Sequence, residues 1–327
     1  MDLLVNLGWV LLGVTALYFG AEWLVKGSSK LALRVGISPL VVGLTVVAFG
    51  TSAPELLVSV SANLKDGGGD IALGNVVGSN ICNIALVLGL AALLRPFPVH
   101  GQVIRRDMPI LLGATVVFVL MLLDGQVQRW EGAVLAGGVI LYTVSSIISG
   151  RKEGGADDTS ELELSEEEIA AAKSGGLSKA LIDFGLIVLG LGVLVIGTNR
   201  LLFGGSEIAV AFGVPPAVIA LSLVAFGTSL PEVATVVVAS LKGEGDLVTG
   251  NAVGSCIFNI LAVVGITGCI ASLSRDSLKM EDLWIMSGIL VVSYVFMLTK
   301  RRFSRIEGGI LLGAYLIYVI WLFLRQS

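Results

Sequence analysis

Two nine-residue stretches decide how this chain is built: VAFGTSAPE at Val47–Glu55 and VAFGTSLPE at Val224–Glu232. They lie 177 residues apart and differ at one position. Working outward, Gly20–Asn63 laid on Gly197–Ser240 is identical at 19 of 44 positions. A second matched pair follows, GNVVGSNICNI (Gly74–Ile84) and GNAVGSCIFNI (Gly250–Ile260). Unrelated apolar segments would share Leu and Val. Shared Gly, Thr, Ser, Pro, Glu and Asn point to duplication. The chain reads as two homologous halves, residues 1–150 and 177–327, joined by an acidic linker at 151–176.

The composition says what those halves live in. Of 327 residues 55% are hydrophobic and 14% charged, and the mean hydropathy is +0.93. Soluble domains carry about 25% charged residues. Ten uncharged runs, the first Leu3–Ala21 and the last Gly308–Leu324, are close to the roughly 17–25 helical residues that span a bilayer. The expected fold is an all-α polytopic membrane protein with ten transmembrane helices. Five spans per half is an odd number, so the second half enters the membrane from the opposite side. Two inverted five-helix repeats are a transporter architecture, with the substrate site near the midplane.

Charge sets the expected orientation. Alternating the loops gathers fifteen Lys and Arg on one side and six on the other. The positive-inside rule makes the richer side cytoplasmic and both termini extracellular. The linker, with eight acidic residues against Arg151, Lys152 and Lys173, then reads as a solvated cytoplasmic tether, the alternative being a regulatory or ion-sensing role, since clustered carboxylates attract cations. No basic patch interleaved with aromatics is present, which excludes nucleic acid as a partner. Cys82, Cys256 and Cys269 all fall in apolar spans, which argues against a disulfide framework. The start, Met1-Asp2, lacks a basic segment, so the first span reads as a retained helix rather than a cleaved signal. HExxH, GxSxG and GxxxxGK[ST] are all missing, which counts against an enzyme or a P-loop pump. The lipid bilayer is the one partner implied besides ions, and no protein partner is evident.

Glu55 and Glu232 are carboxylates near the middle of otherwise uncharged segments, where an acid costs at least about 2.5 kcal/mol. Pro54 and Pro231 deprive Gly50 and Gly227 of their helical partners, so each helix is expected to break at FGTS. Thr51 and Glu55 are four apart, as are Thr228 and Glu232, Ser79 and Asn83, and Ser255 and Asn259. Each pair therefore shares a helix face. Carboxylates, hydroxyls, amide oxygens and freed carbonyls together suit a hard cation; Ca²⁺ takes about 6–8 oxygens at about 2.3–2.6 Å. Without a His or Cys cluster, zinc and copper are disfavoured. Glu22 has Asn199 as its counterpart and stays outside the site, in a packing or pathway role. His100 reads as a solvated loop residue, and Cys82 and Cys256 as small core residues.

The paired GTSxPE and GNxxGSxxxN motifs resemble the two alpha repeats of the sodium/calcium exchangers in the cation/calcium antiporter superfamily. The likeness covers both halves and nearly the full length. It implies a secondary antiporter exchanging sodium for calcium electrogenically by alternating access, the first and sixth spans sliding over the rest. Carried over by motif, the ion ligands are Thr51, Ser52, Glu55, Ser79 and Asn83, then Thr228, Ser229, Glu232 and Ser255, with Asn259 in the remaining position. The backbone carbonyls of Ala48 and Ala225 match ligand positions too. Members that also move potassium, and some prokaryotic exchangers, carry aspartate where this chain has Asn259, and potassium-independent animal exchangers resemble it in having asparagine, which leans toward plain sodium/calcium exchange. The short linker resembles prokaryotic or archaeal members, placing the protein in such a cell's plasma membrane. No cofactor is implied beyond the transported Ca²⁺ and Na⁺. Two rivals fit the same residues: a proton/calcium antiporter, and a passive cation channel.

Overall fold

The computed structural model describes residues 3–65, 68–153, 177–213, 225–276 and 278–326. Most of the acidic linker, including Asp157 and Glu161 to Glu168, lies outside the described residues. Ten helices follow in order: α1 (Leu3–Val35), α2 (Pro39–Asn63), α3 (Gly69–Leu94), α4 (Val103–Asp124), α5 (Arg129–Glu153), α6 (Leu177–Ala211), α7 (Leu230–Leu241), α8 (Gly245–Ile270), α9 (Met280–Lys300) and α10 (Arg305–Gln326). Among the described residues nine are long and apolar enough to cross a membrane, and α7 is a shorter apolar piece preceded by one turn at Ala225–Gly227.

α1 and α6 outrun the apolar runs that announce them. They hold 33 and 35 residues, about 50 Å at 1.5 Å per residue, against a hydrocarbon core of roughly 30 Å. Lys26, Lys30 and Arg34, which the uncharged-run reading places in a loop, continue a four-residue spacing from Glu22. That spacing puts them on one helix face, so the helix continues through them. The other faces divide the work. Leu4, Leu11 and Tyr18 on α1 are exposed, as are Leu181, Val188 and Val195, their repeat counterparts on α6. Such faces suit lipid, not water. Gly13 faces Gly197 and Gly20 faces Gly190, while Gly27 abuts the Asp183 carbonyl and Gly204 the Asn6 carbonyl, so the two backbones touch. A Cβ on Gly20 would stand 2.9 Å from Gly190 O, and one on Gly190 2.7 Å from Gly20 O. Small residues at this spacing let membrane helices approach closely. Arg34 is paired with Asp183 at one end of this seam.

α3 and α8 form the centre, 78% and 83% of their apolar stretches being buried, against 22% and 28% for α1 and α6. Two short antiparallel ladders tie the repeats together. β1 (Phe97–Pro98), between α3 and α4, pairs with β4 (Arg302–Phe303), between α9 and α10. β2 (Gln126–Val127), between α4 and α5, pairs with β3 (Leu273–Ser274), between α8 and α9. β1 and β2 sit at opposite ends of α4, so the ladders close opposite faces. Exchanging the repeats maps one ladder onto the other, as inverted repeats require.

Candidate cation-binding site

The helix breaks fall inside FGTS, at matched residues. α2 is interrupted at Ser52 (φ −82°, ψ 1°) and the α7 segment at Ser229 (φ −90°, ψ 5°), both in the sparsely used bridge region. Pro54 and Pro231 then sit in the first turn of the helix that resumes, where no amide hydrogen is missed. Glu55 and Glu232 occupy the same first turns, next to the positive end of the helix dipole, which favours a carboxylate. The described turn before each break, Ala48–Thr51 and Ala225–Gly227, has its carbonyl end at the break, an arrangement that suits cations.

These two breaks meet across the molecule. Ser52 Oγ donates to Glu232 Oε1 at 3.4 Å, and Ser229 Oγ to Glu55 Oε1 at 3.3 Å. Ser79 on α3 joins them, its Oγ 3.4 Å from Glu55 Oε1 and 3.2 Å from Ser229 Oγ. Thr51 Oγ1 lies 3.4 Å from Ser255 Oγ on α8. Both glutamates are completely buried. Each keeps one oxygen, Oε2, with no hydrogen-bond partner, and neither is paired with a Lys or Arg among the described residues. Uncompensated buried carboxylates cost several kcal/mol each, so the site calls for a positive charge that the protein does not supply.

The remaining candidates are placed as follows. Ala48 is buried, and its carbonyl accepts the Ser52 amide at 3.0 Å and faces Thr51 Oγ1 at 3.4 Å. Thr228 is half-buried beside Asn75, and Ala225 begins the short turn before the α7 break. Asn83 and Asn259 lie within π-helical turns, Cys82–Val87 of α3 and Asn259–Val264 of α8, irregularities frequent at functional sites. Neither bonds to another candidate. Asn83 Oδ1 and Nδ2 are both buried without a partner, and so is Asn259 Oδ1. Glu22 pairs with Lys242 at 3.4 Å, away from the glutamates. Among the described residues no three His, Cys, Asp or Glu cluster together. The donor set is two carboxylates amid neutral oxygens.

Comparison with known proteins accords with this geometry. The family model for sodium/calcium exchanger proteins matches residues 5–148 and, separately, 182–324. The chain belongs to the sodium/calcium exchanger family. It is 39% identical over 319 residues to a protein named putative antiporter CaxA from Alkalimonas amylolytica, across 96% of this chain and 98% of that one. It is 30% identical to sodium/calcium exchanger MaX1 of Methanosarcina acetivorans, across 98% and 99%. The structure of the sodium-calcium exchanger NCX_Mj soaked with 10 mM Na⁺ and zero Ca²⁺ superposes with a TM-score of 0.83 at 29% identity, covering 98% of this chain and 99% of that one. Family membership makes this an integral multi-pass membrane transporter rather than an enzyme, and the shared fold is the one with two repeats.

Sequence reading missed three asparagines bonded to candidate residues, Asn75, Asn251 and Asn80. Thr51 Oγ1 donates to Asn251 Oδ1 at 3.1 Å, and Thr228 Oγ1 to Asn75 Oδ1 at 3.3 Å. Each threonine thus gives its proton to an asparagine of the other repeat, leaving its lone pairs for a cation. Asn75 Nδ2 also donates to the Glu55 carbonyl at 3.1 Å. The signal was present, since Asn75 and Asn251 are matched residues four before Ser79 and Ser255. The third, Asn80, faces Cys256 in the repeat alignment, so symmetry could not mark it.

Proposed function

We propose that this protein exchanges sodium for calcium across the membrane, with Glu55 and Glu232 as the charged ligands. One observation carries the reading: two buried carboxylates, bridged reciprocally by serines of opposite repeats, each holding an oxygen without a partner. Ionised, they contribute −2, which balances one Ca²⁺. Thr51, Ser52, Ser79, Asn83, Thr228, Ser229, Ser255 and Asn259, with the Ala48 and Ala225 carbonyls, complete an oxygen set suited to hard cations. Several Na⁺ occupy the same oxygens in turn, so sodium entry releases calcium and calcium entry releases sodium. With three Na⁺ per Ca²⁺ one net charge crosses per cycle, and a full crossing of 100 mV is worth about 2.3 kcal/mol. The names of MaX1 and NCX_Mj support sodium as the coupling ion. The lysine and arginine asymmetry supports an orientation with both termini outside and residues 151–176 inside, and the duplicated motifs support residues 1–150 and 177–327 as the repeats.

A proton/calcium antiporter is the second reading, because protonation of the same two carboxylates would supply the missing positive charge. Calcium uptake into proteoliposomes, with and without an outward sodium gradient at fixed pH, separates the readings. Sodium-dependent uptake is the expected result. Uptake that follows only a pH gradient establishes the proton antiporter, and uptake indifferent to both gradients a channel.

A further inference from the structure

We propose that Asn80 is a positioning residue for ion binding, holding the Asn259 amide so that its oxygen turns toward the cations. This rests on the reading of Asn259 as an ion ligand. Both side chains are completely buried. Asn259 Nδ2 donates to Asn80 Oδ1 at 3.2 Å, while Asn259 Oδ1 has no partner. An amide is planar, so fixing its nitrogen on one side aims its oxygen to the other.

The orientation of Asn80 is itself dictated. Its Nδ2 lies 3.8 Å from Met286 Sδ on α9. A thioether only accepts, so it tolerates the NH₂ end of Asn80 and not the carbonyl end. That leaves Asn80 Oδ1 facing Asn259, which in turn must present its own NH₂. Met286, Asn80 and Asn259 therefore form a relay of orientation from α9 through α3 to α8. The other repeat lacks it. Cys256 stands where Asn80 has its counterpart, its Sγ directed at the backbone carbonyl of Asn80 at 3.8 Å, and Asn83 is left with both amide atoms unpartnered. The second-repeat amide is preset as an oxygen ligand; the first-repeat amide turns to meet its ion.

The test measures sodium-driven calcium flux in proteoliposomes, resolving apparent KM for calcium from maximal rate. Asn80→Leu keeps the volume and removes the acceptor. It should raise the KM roughly tenfold, as loss of an outer-shell partner does, with the maximal rate within about twofold. In an Asn259→Asp background both terminal atoms are oxygens and orientation no longer matters. There Asn80→Leu should shift KM less than about twofold. An equal KM shift in both backgrounds, or a fall in rate with KM unchanged, overturns the positioning role. Should Asn80→Leu not fold, Met286→Leu carries the same test, with a smaller KM rise suppressed by the same Asn259→Asp change. Asn259→Ala separates the premises. If it leaves KM unchanged, the ligand reading falls; if it raises KM while Asn80→Leu does not, only the relay falls.

Discussion

The two repeats match where their broken helices cross and differ in the contacts around that crossing. Across the pseudo-two-fold, Ser52 and Ser229 reach the opposite glutamates, and Thr51 and Thr228 reach the opposite asparagines, in bonds of 3.1–3.4 Å. One step farther out the likeness ends. α1 is tied to the α7–α8 connection by Glu22–Lys242 at 3.4 Å and by Ser29 Oγ donating to Glu244 at 2.8 Å. The counterpart of Lys242 is Lys65, but that of Glu22 is Asn199, so the same tie cannot form between α6 and the α2–α3 connection. Matched residues line the candidate site; the tie outside it is unmatched.

The strongest test of that division is charge removal. Glu55→Gln and Glu232→Gln should each lower calcium exchange at least about 100-fold, because one lost charge opposite a divalent ion in a poorly screened site costs several kcal/mol. Equal losses, with normal insertion and purification, fit two equivalent ligands. Near-normal flux in either variant removes that glutamate from the site. Next come the threonines. Thr51→Val and Thr228→Val should each cost about tenfold in flux, near 1.4 kcal/mol. Adding Asn251→Leu to Thr51→Val should make little further difference, while adding Asn75→Leu should multiply the loss. The reverse pattern would mean that the threonines are not oriented across the repeats. The smallest effect belongs to the asymmetric tie. Lys242 and Glu22 are each about a third exposed, and such pairs are worth under about 1 kcal/mol. Lys242→Ala should therefore shift the ratio of calcium affinities measured from the two faces by at most about fivefold. Lys65→Ala should leave that ratio unchanged.

Much of this was legible in the sequence because the duplicated residues carry their own control. A glutamate, proline and hydroxyl matched at 177 residues' distance identify a break and a charge together, and the structure puts both breaks at matched serines. Helix ends were less legible. An uncharged run marks where hydrocarbon is crossed, and α1 goes on for more than three turns beyond Ala21 because its charges share one face. Asn75 and Asn251 lay in plain view within the repeated motif, but which hydroxyl each accepts depends on the crossing of helices from opposite repeats. Asn80 could not be found that way at all. Its partners Met286 and Asn259 are 206 and 179 residues distant, and its counterpart is a cysteine.

The paired strands divide the molecule mechanically. β1 with β4 and β2 with β3 are clasps of two residues each, too short to stabilise much on their own. Their placement matters more than their strength. One closes each face, and each joins a connection of the first repeat to one of the second, so α4 and α9 are stitched at both ends, and α3, α5, α8 and α10 at one, into a frame. No such strand flanks α1 or α6 among the described residues. Those two helices touch backbone to backbone through their glycines, and so behave as one plank laid against the frame. A side chain added at Gly20 or Gly190 would therefore press on the backbone of the other helix, at 2.9 and 2.7 Å, and force the two apart.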